Sequence, residues 1–276
     1  MTHADGSSTS IRHFVPTIDR DSIFVVFPAM GVMASYYTAL GNELAECGFN
    51  AFTVDLRGNG ESSLRPSRNV DFGYKDELDH EYANTLGYLK NRFPEKRIIV
   101  LGHSFGGQLA CLFAARDVHR IHQLVLVACC SVYWKGYSGI NALKTLVGTQ
   151  YLRAIAEILG YLPGQKVGFG GLEAKTVIRD WSHQGRTGNY VLSNDVFDYE
   201  AALRNVAIPI LAVSIEGDDL APPSAVEHLI NKLESAQKKH IHLKRNDPYN
   251  DDYNHFNWAR KPKKMVELIL KELNAQ

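Results

Sequence analysis

The chain has 276 residues, 45% of them hydrophobic, and its 30 basic residues are balanced by 30 acidic ones. That composition supports one sizeable core, built as a single large domain or as a domain with an insertion. Net neutrality excludes an electrostatic reason to bind nucleic acid or an anionic membrane surface, and no apolar run is long enough to span a bilayer.

In chain order, residues 1–10 are rich in Ser, Thr and Gly and are expected to be loose. Met1–Gly6 is polar, without the apolar core of a secretory signal. The four cysteines (Cys47, Cys111, Cys129, Cys130) have no spacing of a disulfide framework or a zinc site. Both features point to the reducing cytoplasm. Ile11–Ile18 reads as a short edge strand. Ser22–Pro28 is a continuous apolar run, as for a strand buried on both faces. Tyr36–Cys47 has helical periodicity and Gly48 stops it. Ala51–Leu56 is a strand, followed by the loop Arg57-Gly58-Asn59-Gly60-Glu61-Ser62, and Asp76–Arg92 reads as an amphipathic helix. Arg97–Leu101 is a strand, a helix runs to Arg116, and His122–Cys130 is a strand again.

Alternating strands and helices predict a mostly parallel sheet of seven to eight strands, covered by helices on both faces. From about Tyr133 to Ala207 the pattern turns helical and irregular. It resumes at Pro209–Ile215 (strand), Pro222–Ser235 (helix), His240–Lys244 (strand) and Pro262–Leu273 (helix). Residues 1–132 and 208–276 are therefore expected to form one core domain interrupted by an insertion, residues 133–207.

Between the strand ending at Leu101 and the following helix lies Gly102-His103-Ser104-Phe105-Gly106. A serine at the apex of a strand–turn–helix is a nucleophile elbow: the glycines allow a close crossing and the serine oxygen is pushed out. A serine hydroxyl needs a base, and the base needs a carboxylate to orient it. Downstream, the strand Ile210–Ile215 ends in Glu216-Gly217-Asp218-Asp219-Leu220-Ala221-Pro222, where Asp218 and Asp219 compete for the carboxylate, or serve as a helix cap. His255, in Asn254-His255-Phe256, follows the last strand and precedes the last helix, which suits the base. His103 adjoins the serine but its backbone faces the wrong way. His228 is in a helix, and His183 lies in the insertion. His240 and His242 share one strand face; strand packing explains them better than a metal. The acidic loop Asp247–Asp252 lacks the glycine and glutamate of a calcium loop. Donors to an oxyanion are expected from the N–H of Phe105, at a helix start, and from the loop Pro28-Ala29-Met30-Gly31-Val32, with Met30 assigned and Ala29 the alternative.

With these pieces the chain resembles α/β-hydrolase fold serine hydrolases over nearly its whole length. The resemblance is carried by Gly102–Gly106, Asp55-Leu56-Arg57-Gly58-Asn59-Gly60-Glu61-Ser62, Gly217-Asp218 and Asn254-His255-Phe256. Phe27–Val32 and Gly160-Tyr161-Leu162-Pro163-Gly164 resemble, more narrowly, a group of uncharacterised α/β hydrolases. The resemblance favours Asp218, because Pro222 falls four residues on, and gives the Asp55–Ser62 turn no catalytic role. It also implies that the insertion caps the active site. Two departures stand out. Pro28-Ala29 replaces the His-Gly of many relatives, and the segment before Ser22 is short for two antiparallel starting strands.

What the resemblance implies is cleavage of a carboxylic ester or thioester through a Ser104–His255–Asp218 triad and an acyl-enzyme. No cofactor or metal is expected, and the partner is a small ester or acyl substrate. The cap aromatics Tyr151, Phe169, Trp181 and Tyr190 form either an apolar acyl pocket or the cap's own core. The same triad serves acyltransferases and carbon–carbon bond hydrolases, and a non-catalytic binding module is the alternative from another class. Substrate identity and oligomeric state are left open.

Overall fold

A computed structural model describes residues 1–274. Nine strands and ten α-helices follow one another as β1 (Ile11–Phe14), β2 (Ser22–Phe27), α1 (Thr38–Glu46), β3 (Asn50–Val54), α2 (Tyr74–Glu77), α3 (Ala83–Arg92), β4 (Arg97–His103), α4 (Phe105–Arg116), β5 (Gln123–Val127), α5 (Gly139–Leu159), β6 (Tyr161–Pro163), α6 (Gly164–Val167), β7 (Leu172–Ala174), α7 (Lys175–Thr187), α8 (Tyr199–Arg204), β8 (Ile210–Ile215), α9 (Pro223–Ile230), β9 (Lys238–Leu243) and α10 (Lys263–Asn274). Seven strands form the central sheet in the order β1-β3-β2-β4-β5-β8-β9. Only β1 runs antiparallel, against β3, so one starting strand of that kind is present.

The parallel strands β2, β3, β5 and β8 are apolar along their length because both faces are covered. Phe24, Phe27, Phe52, Leu101 and Val125 lie at the centre of one continuous core. Strand β4 sits fourth of the seven, so whatever follows its carboxyl end emerges at the middle of the sheet edge where this fold class places ligands.

Several expectations shift. The first ten residues are tied down rather than loose: Thr2 bridges to Ser8, and buried His3 bonds Thr9 Oγ1 at 2.8 Å. The expected helix Asp76–Arg92 begins at Tyr74 and passes through a π-helical turn, Leu78–Tyr82. That turn brings Glu81 to Arg57, whose Nε donates to Glu81 Oε2 at 2.8 Å in the interior. The fifth strand stops at Val127 rather than Cys130, because Ala128 takes a positive φ of 48°. Helix α9 ends at Ile230 rather than Ser235.

Residues 133–207 lie between β5 and β8 and hold α5 packed on α7, together with the antiparallel pair β6–β7. Glu173 of β7 is buried, and burial pushes its carboxyl up to about 7, only partly offset by the N–H of Gly171 donating to Oε1. A buried acid of this kind costs nothing extra while protonated in both folded and unfolded chains. Stability then falls as pH rises from its ordinary 4.5 towards 7, where the unfolded chain has released the proton and the folded one has not. Glu173→Gln keeps the acceptor for Gly171 without the charge. It is expected to be more stable than the wild type at pH 8 by up to about 3 kcal/mol, with little difference at pH 4.5, as read by urea denaturation at the two pH values.

Candidate active site

Ser104 separates β4 from α4 and has φ 50° and ψ −116°, a strained conformation for a residue with a side chain. The surroundings dictate it. A Cβ on Gly102 would lie 2.3 Å from Gly107 Cα, and one on Gly106 would lie 2.5 Å from the carbonyl oxygens of Phe27 and Pro28. Strand and helix thus touch through bare backbone, and the chain can turn only by passing through the left-handed region at Ser104.

His255 reaches the same place from the loop between β9 and α10. Its Nδ1 donates to Asp218 Oδ2 at 2.8 Å, and both side chains are almost fully buried. The other oxygen of Asp218 accepts from the N–H groups of Leu220 (3.0 Å) and Ala221 (3.2 Å), which fixes the carboxylate. Asp219 instead lines the cavity and accepts from Asn141 Nδ2 at 3.4 Å. Of the two competing acids, Asp218 is the one bonded to the histidine.

Ser104 and His255 line one cavity of about 520 Å³. Among the described residues no hydrogen bond joins them; in unliganded sites such contacts are often long and tighten only with substrate. The pocket walls come from both the core and residues 133–207: Phe105 and Cys130 from the first, Val132 at the junction, Leu152, Phe169 and Trp181 from the second. Of the four aromatics expected there, Phe169 and Trp181 line the cavity, with ring centroids 4.9 Å apart. Tyr151 does not: it faces outward, 61% exposed, and Tyr190 is buried behind the wall. His183 is not among the lining residues.

Two N–H groups of residues lining this cavity have no acceptor among the described residues. Phe105 is the first residue of α4, so its N–H has no acceptor within the helix. The loop after β2 is a turn in which Val32 N–H donates to Ala29 C=O at 3.0 Å, with Gly31 at φ 72°. Within that loop the N–H of Ala29 is taken up by the Tyr37 hydroxyl at 2.9 Å, whereas among the described residues no hydrogen bond uses that of Met30. Both Ala29 and Met30 line the cavity.

Sequence reasoning missed what braces these loops. Tyr37 also bonds His103 Nδ1 at 2.7 Å, and His103 Nε2 donates to the carbonyl of His255 at 2.8 Å. Burial holds His103 well below its usual range, helped by the neighbouring His255, so the ring is neutral and carries one proton, on Nε2. The order is then fixed: Ala29 N–H to Tyr37, Tyr37 O–H to His103, His103 N–H to His255 C=O. Trp258 Nε1 donates to the same carbonyl at 3.1 Å. No spacing rule flags Tyr37 or Trp258; only the His next to Ser104 was visible, and its part was not.

Cys130 lies on the cavity wall with its thiol donating to the Leu220 carbonyl at 3.3 Å, and burial pushes it up to about 12. His240 and His242 both bond the Ser214 hydroxyl at 2.9 Å, and no cluster able to hold a metal occurs among the described residues. Nor is any helix of the described residues long and apolar enough to cross a membrane.

Residues 23–134 match the family described as alpha/beta hydrolase fold. The chain is similar to a monoacylglycerol lipase, ABHD2, of Danio rerio, with 34% identity over 150 residues, 52% of this chain and 33% of the relative. It thus spans a third or less of the length of the first curated relatives it matches. It is also similar to a monoacylglycerol lipase of Mycolicibacterium smegmatis, 24% identical over 84% of this chain and 81% of that one. Among solved structures, Est1E of Butyrivibrio proteoclasticus with bound ferulic acid superposes with a TM-score of 0.66 at 15% identity, covering 100% of both chains. MenH from S. aureus superposes at 0.62 and 14% identity, covering 100% of this chain and 99% of that one. By its sheet order, the family match over residues 23–134 and these likenesses, the chain has the α/β-hydrolase fold.

Proposed function

We propose that the chain is a serine hydrolase that cleaves a carboxylic ester or thioester through an acyl-enzyme. One observation carries the reading: a strained serine at φ 50° opens onto the same cavity as a histidine whose Nδ1 is bonded to a buried, doubly anchored aspartate. Ser104 Oγ attacks the substrate carbonyl while His255 Nε2 takes its proton. Asp218 holds the ring with Nδ1–H toward itself, leaving Nε2 free as the base, and stabilises the imidazolium that forms. The oxygen of the tetrahedral intermediate accepts from the N–H groups of Phe105 and Met30; each such donor contributes about 3–4 kcal/mol. His255 returns the proton to the leaving alcohol or thiol, and water then releases the acyl group by the same steps.

We read residues 133–207 as a cap, since they supply Leu152, Phe169 and Trp181 to the cavity wall. Those side chains suit an apolar acyl group, and the monoacylglycerol lipase names of two relatives support an ester of that kind. The unpaired cysteines support a reducing compartment such as the cytoplasm.

Ser104→Ala is expected to abolish turnover of p-nitrophenyl acetate and labelling by a fluorophosphonate probe; unchanged turnover would sink the reading. The two neighbouring acids give a sharper test. Asp218→Asn leaves the shape but turns His255 to the wrong tautomer, and kcat is expected to fall about 10⁴-fold. Asp219→Asn, in a parallel assay, is expected to stay within about threefold of wild type, because Asp219 touches Asn141 and not His255.

A further inference from the structure

Two buried polar side chains on the cavity wall, Gln108 and Thr149, are not used by the proposed triad and oxyanion hole, and Thr149 gives its hydroxyl proton to the Leu146 carbonyl at 3.0 Å. Gln108 lies on α4 one turn beyond Ser104, is only 2% exposed, and lines the cavity. Four residues of helix place it about 6 Å along the axis from the serine. Its Oε1 accepts from the Tyr190 hydroxyl at 3.3 Å. Tyr190 is itself buried, which holds its phenol well above the usual range, so it remains a donor. That hydroxyl has no other acceptor among the described residues. Turning the amide over would leave the phenolic proton without an acceptor, so the bond from Tyr190 fixes which end of the amide faces out. Among the described residues the NH₂ group has no acceptor, and Gln108 lines the cavity together with Ser104.

The side of the substrate that meets it follows from the proton path. On the serine-hydrolase reading, on which this inference rests, the leaving group must receive its proton from His255. It therefore lies against the rim formed with Leu220 and Phe256, which are 50% and 40% exposed. The acyl group is left the enclosed side, with Gln108, Val132, Leu152 and Trp181. A wall that is mostly apolar and presents the Gln108 NH₂ suits an acyl chain that is mostly apolar but carries one acceptor oxygen. A donor on a buried, mostly apolar wall also discriminates against a ligand that leaves it unpaired.

We infer that Gln108 is a specificity residue whose side-chain amide, latched by Tyr190, hydrogen bonds a carbonyl or ether oxygen a few bonds from the scissile carbonyl. The preferred substrates are then oxo- or alkoxy-acyl esters or thioesters rather than plain alkanoyl ones. Tyr190 is a positioning residue.

The probes are p-nitrophenyl 4-oxopentanoate and p-nitrophenyl pentanoate, each rate taken relative to hydrolysis in buffer. Wild type is expected to favour the oxo ester by about tenfold in kcat/KM. Gln108→Leu is expected to bring that ratio to about one, and Tyr190→Phe to reduce it partway. A ratio is read within each variant, so a general loss of activity does not mimic the effect. A ratio unchanged by Gln108→Leu overturns the inference. A second arm needs no turnover: calorimetric binding of methyl 4-oxopentanoate and methyl pentanoate to Ser104→Ala protein. Tighter binding of the oxo ester, lost on adding Gln108→Leu, supports the role even if wild type hydrolyses neither ester, an outcome that would sink only the catalytic reading. Equal binding of the two esters to Ser104→Ala overturns it.

Discussion

The crossing of β4 and α4 governs the rest of the site. Where Gly102, Gly106 and Gly107 meet, no side chain separates the strand from the helix or from the end of β2. The distance is too short for an ordinary turn, and the strain falls on Ser104. The same closeness sets the neighbouring donors. It brings the start of α4, with the free N–H of Phe105, beside the loop after β2, and Gly106 N–H ties the two by donating to Pro28 C=O at 3.0 Å. The strain costs roughly 1–3 kcal/mol. It persists because packed core lies on every side: β4 is buried from Ile98 to His103, and α4 from Phe105 to Ala114.

Much of this was legible in the residues. Continuous apolar runs announced buried parallel strands, and glycines around a serine announced the elbow, because both patterns follow from local sterics. What local pattern could not give was any arrangement made by distant chain segments. The Asp55–Ser62 turn shows the limit. It was recognised as structural, but its work depends on far partners: Asp55 accepts from the N–H groups of Ala34 and Glu61, and Arg57 is buried against Glu81 on a π-helical turn. The pairing of Asp218 and not Asp219 with His255 was favoured only by the spacing to Pro222; it is set by which carboxylate the Leu220 and Ala221 amides capture. Met30 was assigned over Ala29 without sight of the tyrosine eight residues from Ala29 that takes up the Ala29 N–H.

That tyrosine joins three loops that sequence treats as separate. Through Tyr37 and His103, the loop after β2, the elbow and the loop bearing His255 share one line of hydrogen bonds, every donor matched to an acceptor inside the protein. A buried network of this sort stiffens its members because each partner lost leaves another unsatisfied. The histidine next to the serine thus sets the height of the His255 backbone, while the Asp218 carboxylate sets the rotation of its ring.

Cys130 gives the cavity a second atom capable of attacking a carbonyl. Sulfur is intrinsically the stronger nucleophile, but only as the thiolate. Here the thiol is enclosed, bonded to the Leu220 carbonyl, and raised to about 12, so it holds its proton at any physiological pH. On the proposed reading Ser104 has the opposite arrangement, a weak nucleophile in the same cavity as its base, His255. On the proposed mechanism the acyl group therefore goes to oxygen by protonation state and not by position, and an electrophile small enough to reach both atoms would still discriminate between them.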